Sequence, residues 1–400
     1  MRAELIQHPV GQGGFFSGSV TDDQTVVRWV YDCGSNQRDP LLREIRSLGR
    51  GTKLDYLFLS HLDSDHISGV DALLAACPVE EVVLPYLLPE MIIAALGRDA
   101  ATGTLSGLML DLAADLPGWF TSRGVERITF VGGDDGEGPI DTLPPLEPTG
   151  REREGALHCQ WQPKPGQSGL RLSVEAQGTA EVRQVQPRAA MHFVGGVTAI
   201  DWVLIPHVHT PTATQIADFR KALLAAFVTL DLKKISDEAR TPEGRAKLRD
   251  CYEAFWRDHN LVSMTLYTGP VTGTHLHAYV ARSHGYRYRH HHYFEATGWL
   301  LTGDAHLDQR GRRDRMLQRY SPILRHIGVL LLPHHGSAAN WHDELLTRLP
   351  HVALGLAAAG PNTYGHPHRR VKDALWWHHK QFYRVGTRRK RRVTAVVRRD

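Results

Sequence analysis

Four metal-capable side chains, His61, Asp63, Asp65 and His66, fall within six positions of the stretch LSHLDSDHISG, residues 59–69. The stretch continues the apolar run LDYLFL. A strand that ends in His-x-Asp-x-Asp-His places these donors on the loop past its end. A loop can fold several side chains onto one point, which a straight strand cannot. Histidine offers a neutral nitrogen and aspartate a charged oxygen. Two divalent ions a few ångströms apart need about this many donors, drawn from several segments, to activate a water molecule.

Three further stretches have the same form. LLTGDAH (300–306) ends an apolar run at Asp304, a carboxylate placed to bridge two ions. LLLPHHGSAAN (330–340) ends another at His334 and His335, followed by Gly336 and Ser337. GPNTYGHPH (360–368) sets Asn362, Tyr364 and His366 in a Gly/Pro loop. In an α/β sandwich, strand ends on one edge converge on one site. Singly each has a plainer reading: Asp304 as a helix N-cap, the His334–His335 pair as surface residues, His366 as a turn residue. Their joint occurrence after buried strands favours the site.

Other features are weaker. His207 and His209 alternate in HVHT after the apolar run IDWVLIP, and read first as an exposed strand end. HLHAY (275–279) is read the same way. Five consecutive basic residues, 388–392, sit in an apparent hairpin turn, either solvated or contacting a phosphate backbone. In DALWWHHKQF, Trp376 or Trp377 is expected to pack into the core, with stacking on bases the sharper alternative.

The elements that must position these residues follow an α/β pattern. Strands are expected at 26–34, 54–60, 80–88, 261–269, 298–303 and 327–333. Helices are expected at 69–77, across most of 89–124, at 212–235, 242–259 and 367–382, with a strand closing the chain. Between 132 and 190 the text turns rich in Gly, Pro and acids, and reads as a loop or partly disordered insertion. Residues 1–400 are read as one domain, with 132–258 an elaboration within it, because its strand DWVLIP needs a sheet to join.

Composition sets the outer bounds. Hydrophobic residues make up 42% and charged residues 22%, as in a water-soluble globular chain. A net charge of +4 is too weak to argue for nucleic acid by itself. The 24 histidines fit metal ligation or acid–base work, though RHHHYF looks like compositional bias. Cys33, Cys77, Cys159 and Cys251 are widely spaced and form no CxxC pair. They read as reduced thiols of a cytoplasmic protein. No apolar leader opens the sequence and no run reaches 18 apolar residues, so no membrane is expected.

In order, these motifs resemble the metallo-β-lactamase fold superfamily, and more narrowly the hydrolase domain of the competence protein ComEC and its soluble relatives. HPVGQGGFF with WVYDCGS resembles the family's opening strand and Asp-x-Gly turn, which implies a supporting role for Asp32. LSHLDSDHISG, NLVSMTLY, LLTGDAH, LPHHGS and NTYGHPH resemble the later motifs in sequence order. The resemblance covers most of the chain apart from about 132–258. It implies an αββα sandwich with an inserted segment, and two divalent ions held by His61, Asp63, Asp65, His66, Asp304, His334 and His335. Asp63 stands where many such hydrolases have histidine, which adds charge and tilts the site toward Mn²⁺ or mixed Zn/Mn over zinc alone. The usual ligand histidine before the bridging aspartate has no clear counterpart; His259 and Asn260 lie nearest.

The implied reaction is phosphodiester hydrolysis, with nucleic acid as the expected substrate. Asp65 would act in catalysis as well as ligation. Ser337, Asn362, Tyr364 and His366 would hold the non-bridging oxygens and the leaving group, with His366 as general acid. A metallohydrolase of a lactone, thioester or cyclic nucleotide is the alternative, kept open by the modest charge and the long insertion. A non-catalytic component of a multi-gene defence system, with protein partners from a neighbouring operon, is opposed by the intact donor set.

Overall fold

The computed structural model describes residues 2–22, 24–132, 156–163, 166–167, 180–195, 201–209, 211–255, 262–271, 276–284, 288–294 and 296–399. The Gly/Pro/acid-rich stretch 133–155, and His259 and Asn260, lie outside these residues.

Two sheets stack face to face. The first has eleven strands, in the order Tyr288–Phe294, Leu276–His284, Val393–Arg399, Arg2–Gln7, Phe15–Thr21, Val26–Cys33, Leu54–Phe58, Val79–Pro85, Arg127–Val131, Glu181–Val185 and Gly166–Gln167. The second has eight: Gln381–Val385, Leu354–Ala358, Ile327–Leu331, Gly298–Leu301, Ser263–Pro270, Trp202–His209, Ala190–Val194 and His158–Gln162.

Layering explains the continuous apolar runs. In Leu54–Phe58, Tyr56 and Phe58 face the second sheet beside Trp29, Trp299 and Leu266, while Leu57 faces outward to Leu73, Ile92 and Leu96. In the second sheet Leu300 and Leu330 face outward to Met316, Leu345 and Leu375. Both faces are covered, so period-2 alternation is lost from the sequence. Runs in parallel register place their ends together. Val26–Cys33, Leu54–Phe58 and Val79–Pro85 are mutually parallel, as are Gly298–Leu301, Ile327–Leu331 and Leu354–Ala358.

Several local expectations shift. The stretch 212–235 is two helices, Ala213–Phe227 and Leu232–Glu238, broken where Val228 takes a left-handed φ of 59°. The last helix stops at Trp377, and Gln381–Val385 is already a strand of the second sheet. The basic run is no hairpin, because it crosses from that strand to Val393–Arg399 in the first sheet. Trp376 and Trp377 are not core: they are 68% and 71% exposed, because their helix buries Val371, Ala374 and Leu375 instead.

Within 132–258, Glu181–Val185 pairs with Arg127–Val131, and Trp202–His209 pairs along its length with Ser263–Pro270. A segment whose strands complete the sheets of the core has no independent hydrophobic centre. Limited proteolysis within 133–155 is therefore expected to release no stably folded fragment of 156–258.

Glu44 holds the two chain ends together. It has no exposed surface, and it accepts from Arg43 at 3.1 Å, pairs with His8 Nδ1 at 3.3 Å and binds Arg392. Burial would raise its pKa, but the bonds from His8 and Arg392 bring it down to about 2. A depressed carboxylate stabilises the fold above its unfolded pKa and loses that contribution as pH falls. Glu44→Gln is expected to destabilise the protein by up to about 3 kcal/mol near neutrality. Denaturant melts at stepped pH should show the gap to wild type closing between about pH 4.5 and 2.

Candidate metal centre

The strand Leu54–Phe58 runs out into Leu59–Asp63, and a one-turn helix, Ser64–Ile67, follows with Asp63 at its N-cap. The loop supplies His61 and Asp63, and the turn supplies Asp65 and His66. Asp304 comes two residues past Gly298–Leu301 and Thr302, after Gly303 in a left-handed turn. A Cβ on Gly303 would lie 2.9 Å from Ser263 Oγ and 3.0 Å from Ser60 Cβ, so the two sheets close over a glycine. His334 and His335 follow Ile327–Leu331 with φ of 45° and 57°. Left-handed backbone at non-glycine residues costs of order 1 kcal/mol each and persists where the surroundings impose it. Here His334 N–H donates to Gly303 O at 2.9 Å.

These three strand ends meet at Asp304, which is fully buried. Its Oδ1 lies 3.2 Å from His66 Nε2 and 3.9 Å from His335 Nε2. Its Oδ2 lies 3.6 Å from His61 Nε2 and 3.5 Å from His334 Nε2. His61 Nε2 is 3.1 Å from Asp63 Oδ2, and His335 Nε2 is 3.1 Å from Asp65 Oδ2. Two donor sets result, His61–His66–Asp304 and Asp65–His66–His335, each with its donor atoms within 4.8 Å of one another. Ligands on a tetrahedral ion with bonds of about 2.1 Å lie roughly 3.4 Å apart. The residues fit a divalent cation.

Their orientation is fixed from behind. Asp32 accepts from Ser60 N–H and Ser60 Oγ, both at 2.7 Å, and binds His66 Nδ1 at 2.8 Å. That aims His66 Nε2 at the centre. A Cβ on Gly14 would lie 2.8 Å from His66 Nδ1, so the opening glycine loop is what lets the chain back this pair. Ser60 Oγ meets His61 Nδ1 at 2.7 Å. Asn340 Oδ1 meets His334 Nδ1 at 3.0 Å, and its Nδ2 donates to the Asp304 carbonyl at 3.1 Å.

Electrostatics follow the crowding. Burial would raise Asp65, but His66 and a bond from His335 bring it down to about 2. Asp304 is likewise held ionised against burial, by His334 and His66. Burial lowers His66, yet Asp304, Asp32 and Asp65 outweigh it and raise its pKa. Burial lowers His334 to about 4. His366 is also near 4, through burial and then the charge of His335.

The remaining expected residues divide. The His366 ring lies 5.2 Å from that of His334, beside the centre, and its Nδ1 has no hydrogen-bond partner. Tyr364 is 57% exposed, with its ring 5.9 Å from His366. Asn362 is turned onto its own loop: its Nδ2 donates to Gly360 O and His366 O, and its Oδ1 accepts from His366 N–H. Ser337 Oγ caps the following turn by accepting from Ala339 N–H. Both side chains bond the backbone of their own loops here.

His209 is buried and His207 half-buried, so neither is an exposed strand end, and both stand outside both donor sets. The side chains of 275–279 lie outside the described residues. Sequence reasoning missed Arg98, whose guanidinium binds Asp63 and lies 3.8 Å from Asp304 Oδ2. It also missed Asn340, which closes the motif LLLPHHGSAAN five residues past His335. All four cysteines are free thiols, and no helix among the described residues is long and apolar enough to cross a membrane.

Two stacked mixed sheets, helices on both outer faces and a His/Asp cluster at one edge make this the metallo-β-lactamase fold. A family model described as the metallo-beta-lactamase superfamily matches residues 20–154, which hold the His61–His66 loop and Arg98 but not Asp304 or His335. Solved structures are similar at low identity. The metallo-beta-lactamase fold protein YhfI from Bacillus subtilis is 11% identical, with 97% of this chain and 98% of that chain covered and a TM-score of 0.38. The metallo-beta-lactamase SMB-1 bound to 2-mercaptoethanesulfonate is 10% identical over 94% of each chain, with a TM-score of 0.29. No curated protein matches the chain.

Asp32 has a left-handed φ of 56°, which asparagine tolerates, so Asp32→Asn keeps the shape but removes the charge behind His66. Metal affinity, measured by chelator competition, is expected to fall about 10–100-fold. The melting temperature of the metal-free protein should change little by comparison.

Proposed function

We propose that this protein is a metal-dependent hydrolase acting on phosphodiesters, with nucleic acid as its substrate. The observation that carries the reading is the convergence of seven donor residues from three strand ends, centred on one buried carboxylate, Asp304. Asp65, His66, His335 and Asp304 would hold a divalent ion, which would supply the Lewis acidity to activate water and polarise a phosphoryl oxygen.

The chain's own residues would do the rest. Asp32, Ser60 and Asn340 hold the imidazoles in one orientation. His366 stands beside His334 at the centre. With its pKa near 4, roughly one imidazole in a thousand is protonated at pH 7. It therefore works as a neutral hydrogen-bond donor to a leaving or non-bridging oxygen, rather than as the resident general acid expected from the resemblance.

Support for a polymeric anion comes from the helix Arg369–Trp377, which begins three residues after His366. Arg369 and Arg370 are exposed at its start, and Trp376 and Trp377 at its end. At 1.5 Å per residue these lie about 12 Å apart along the axis, a spacing of two or three nucleotides. A second reading has its own observation. A recess lined by Leu62, Leu87, Met91, Ala94, Tyr252 and Val262 opens beside His61 and Asp63, and would suit a small apolar ester, lactone or thioester.

The test is to supply Mn²⁺, Zn²⁺ or Mg²⁺ to purified protein with labelled DNA and RNA, bis-p-nitrophenyl phosphate, and lactone and thioester panels. Chelator-sensitive cleavage of nucleic acid is expected. Turnover confined to lactones or thioesters would replace the phosphodiester reading with the second. His366→Ala should lower nucleic-acid turnover about 10²-fold with metal content unchanged, and less with a p-nitrophenolate leaving group. Loss of metal in that variant would make His366 a ligand.

A further inference from the structure

Arg98 stands where a second cation would stand. Its guanidinium binds Asp63 and lies 3.8 Å from Asp304 Oδ2. Asp63 Oδ2 and Asp304 Oδ2 lie 3.1 and 3.6 Å from His61 Nε2, and Asp304 Oδ2 lies 3.5 Å from His334 Nε2. The guanidinium thus reaches Asp63 with one nitrogen and Asp304 with the other, beside His61 and His334.

The helix that carries Arg98, Pro89–Thr102, is built to deliver it. On one side Gly97 packs against the helix Pro242–Phe255, where a Cβ would meet Tyr252 Cβ at 2.8 Å and Leu248 O at 3.0 Å. On the other side Asp99, nearly fully buried, accepts from Ser64 Oγ at 2.6 Å and Thr104 Oγ1 at 3.1 Å. Ser64 follows Asp63 directly. Both neighbours of Arg98 are therefore locked, one to another helix and one to the donor loop itself. Only 16% of the Arg98 side chain is exposed. A guanidinium stays charged at any pH the protein survives. It pairs its charge with that of Asp63 and repels a divalent ion from the same few ångströms.

We propose that the centre binds one metal ion, at Asp65, His66, His335 and Asp304, and that Arg98 serves as the fixed cation of the other position. This replaces the two ions expected from the family resemblance, and it rests on the metal-dependent reading given above. Water activation then belongs to the Asp65 side alone. Arg98 binds and orients the anionic group of the substrate, and no chelator removes it.

The experiment is metal stoichiometry, by mass spectrometry of protein saturated with Zn²⁺ or Mn²⁺ and desalted, with calorimetric titration alongside. Wild type is expected to hold one ion per chain. Arg98→Met, which keeps bulk and loses charge, should hold two, with near-ultraviolet circular dichroism reporting the fold. Asp63→Asn in the wild-type background decides independently should that variant not fold, because it should leave the count at one. Two ions in wild type, a count of one in folded Arg98→Met, or a fall from one to none in Asp63→Asn would each overturn the proposal while leaving the hydrolase reading intact. No bound ion in wild type would instead overturn the metal-dependent reading and this inference with it.

Discussion

A carboxylate with no exposed surface, Asp304, is the interaction on which the rest of the structure depends. Its two oxygens face four imidazoles, His66 and His335 on one side and His61 and His334 on the other. Burying an ionised group is costly unless it is paired and hydrogen-bonded. Pairing this one requires side chains from segments up to 274 residues apart, since His61 and His335 both reach it. That demand explains the architecture. Two sheets must stack with the ends of their parallel strands at one edge, and helices must cover both outer faces so that those strands are largely apolar.

The surroundings of the centre are rigid for the same reason. Asp32, Ser60 and Asn340 each bond the outward nitrogen of one imidazole and leave the inward one aimed at the metal position. The left-handed backbone of His334 and His335 persists because the bond from His334 N–H to Gly303 O ties it to the turn that carries Asp304. Strain, close-packed glycines and buried charge all fall within one region. Such concentration is expected where geometry serves chemistry in place of stability.

Charge is managed unevenly across the centre. The Asp65 side is lined by histidines and a shared carboxylate, all donors suited to a metal. The Asp63 side also receives a guanidinium from a helix locked at both neighbouring positions. A metal ion on the Asp65 side would be exchangeable and would acidify what it binds, whereas the guanidinium is a fixed part of the chain and chemically inert.

The sequence by itself determined the class of fold and the inner donor set. His61, Asp63, Asp65 and His66 are legible because they are close in the chain and follow a buried strand. Asp304, His334 and His335 are legible because each ends another apolar run. Layer coverage makes those runs stand out, and it acts through local composition alone. Only the tertiary structure decided what depends on direction. Asn362 and Ser337 carry the right chemistry but turn to their own backbones. Trp376 and Trp377 face outward because the helix presents Val371, Ala374 and Leu375 to the sheet, a matter of rotation that a short helix does not announce. The basic run looks like a hairpin until its flanking strands are found in different sheets. Arg98 was invisible because an arginine on an amphipathic helix reads as a solvated charge. What brings it to Asp63 is the packing of Gly97 on Tyr252 and the bond from Ser64 to Asp99, contacts between segments that nothing in the local sequence connects.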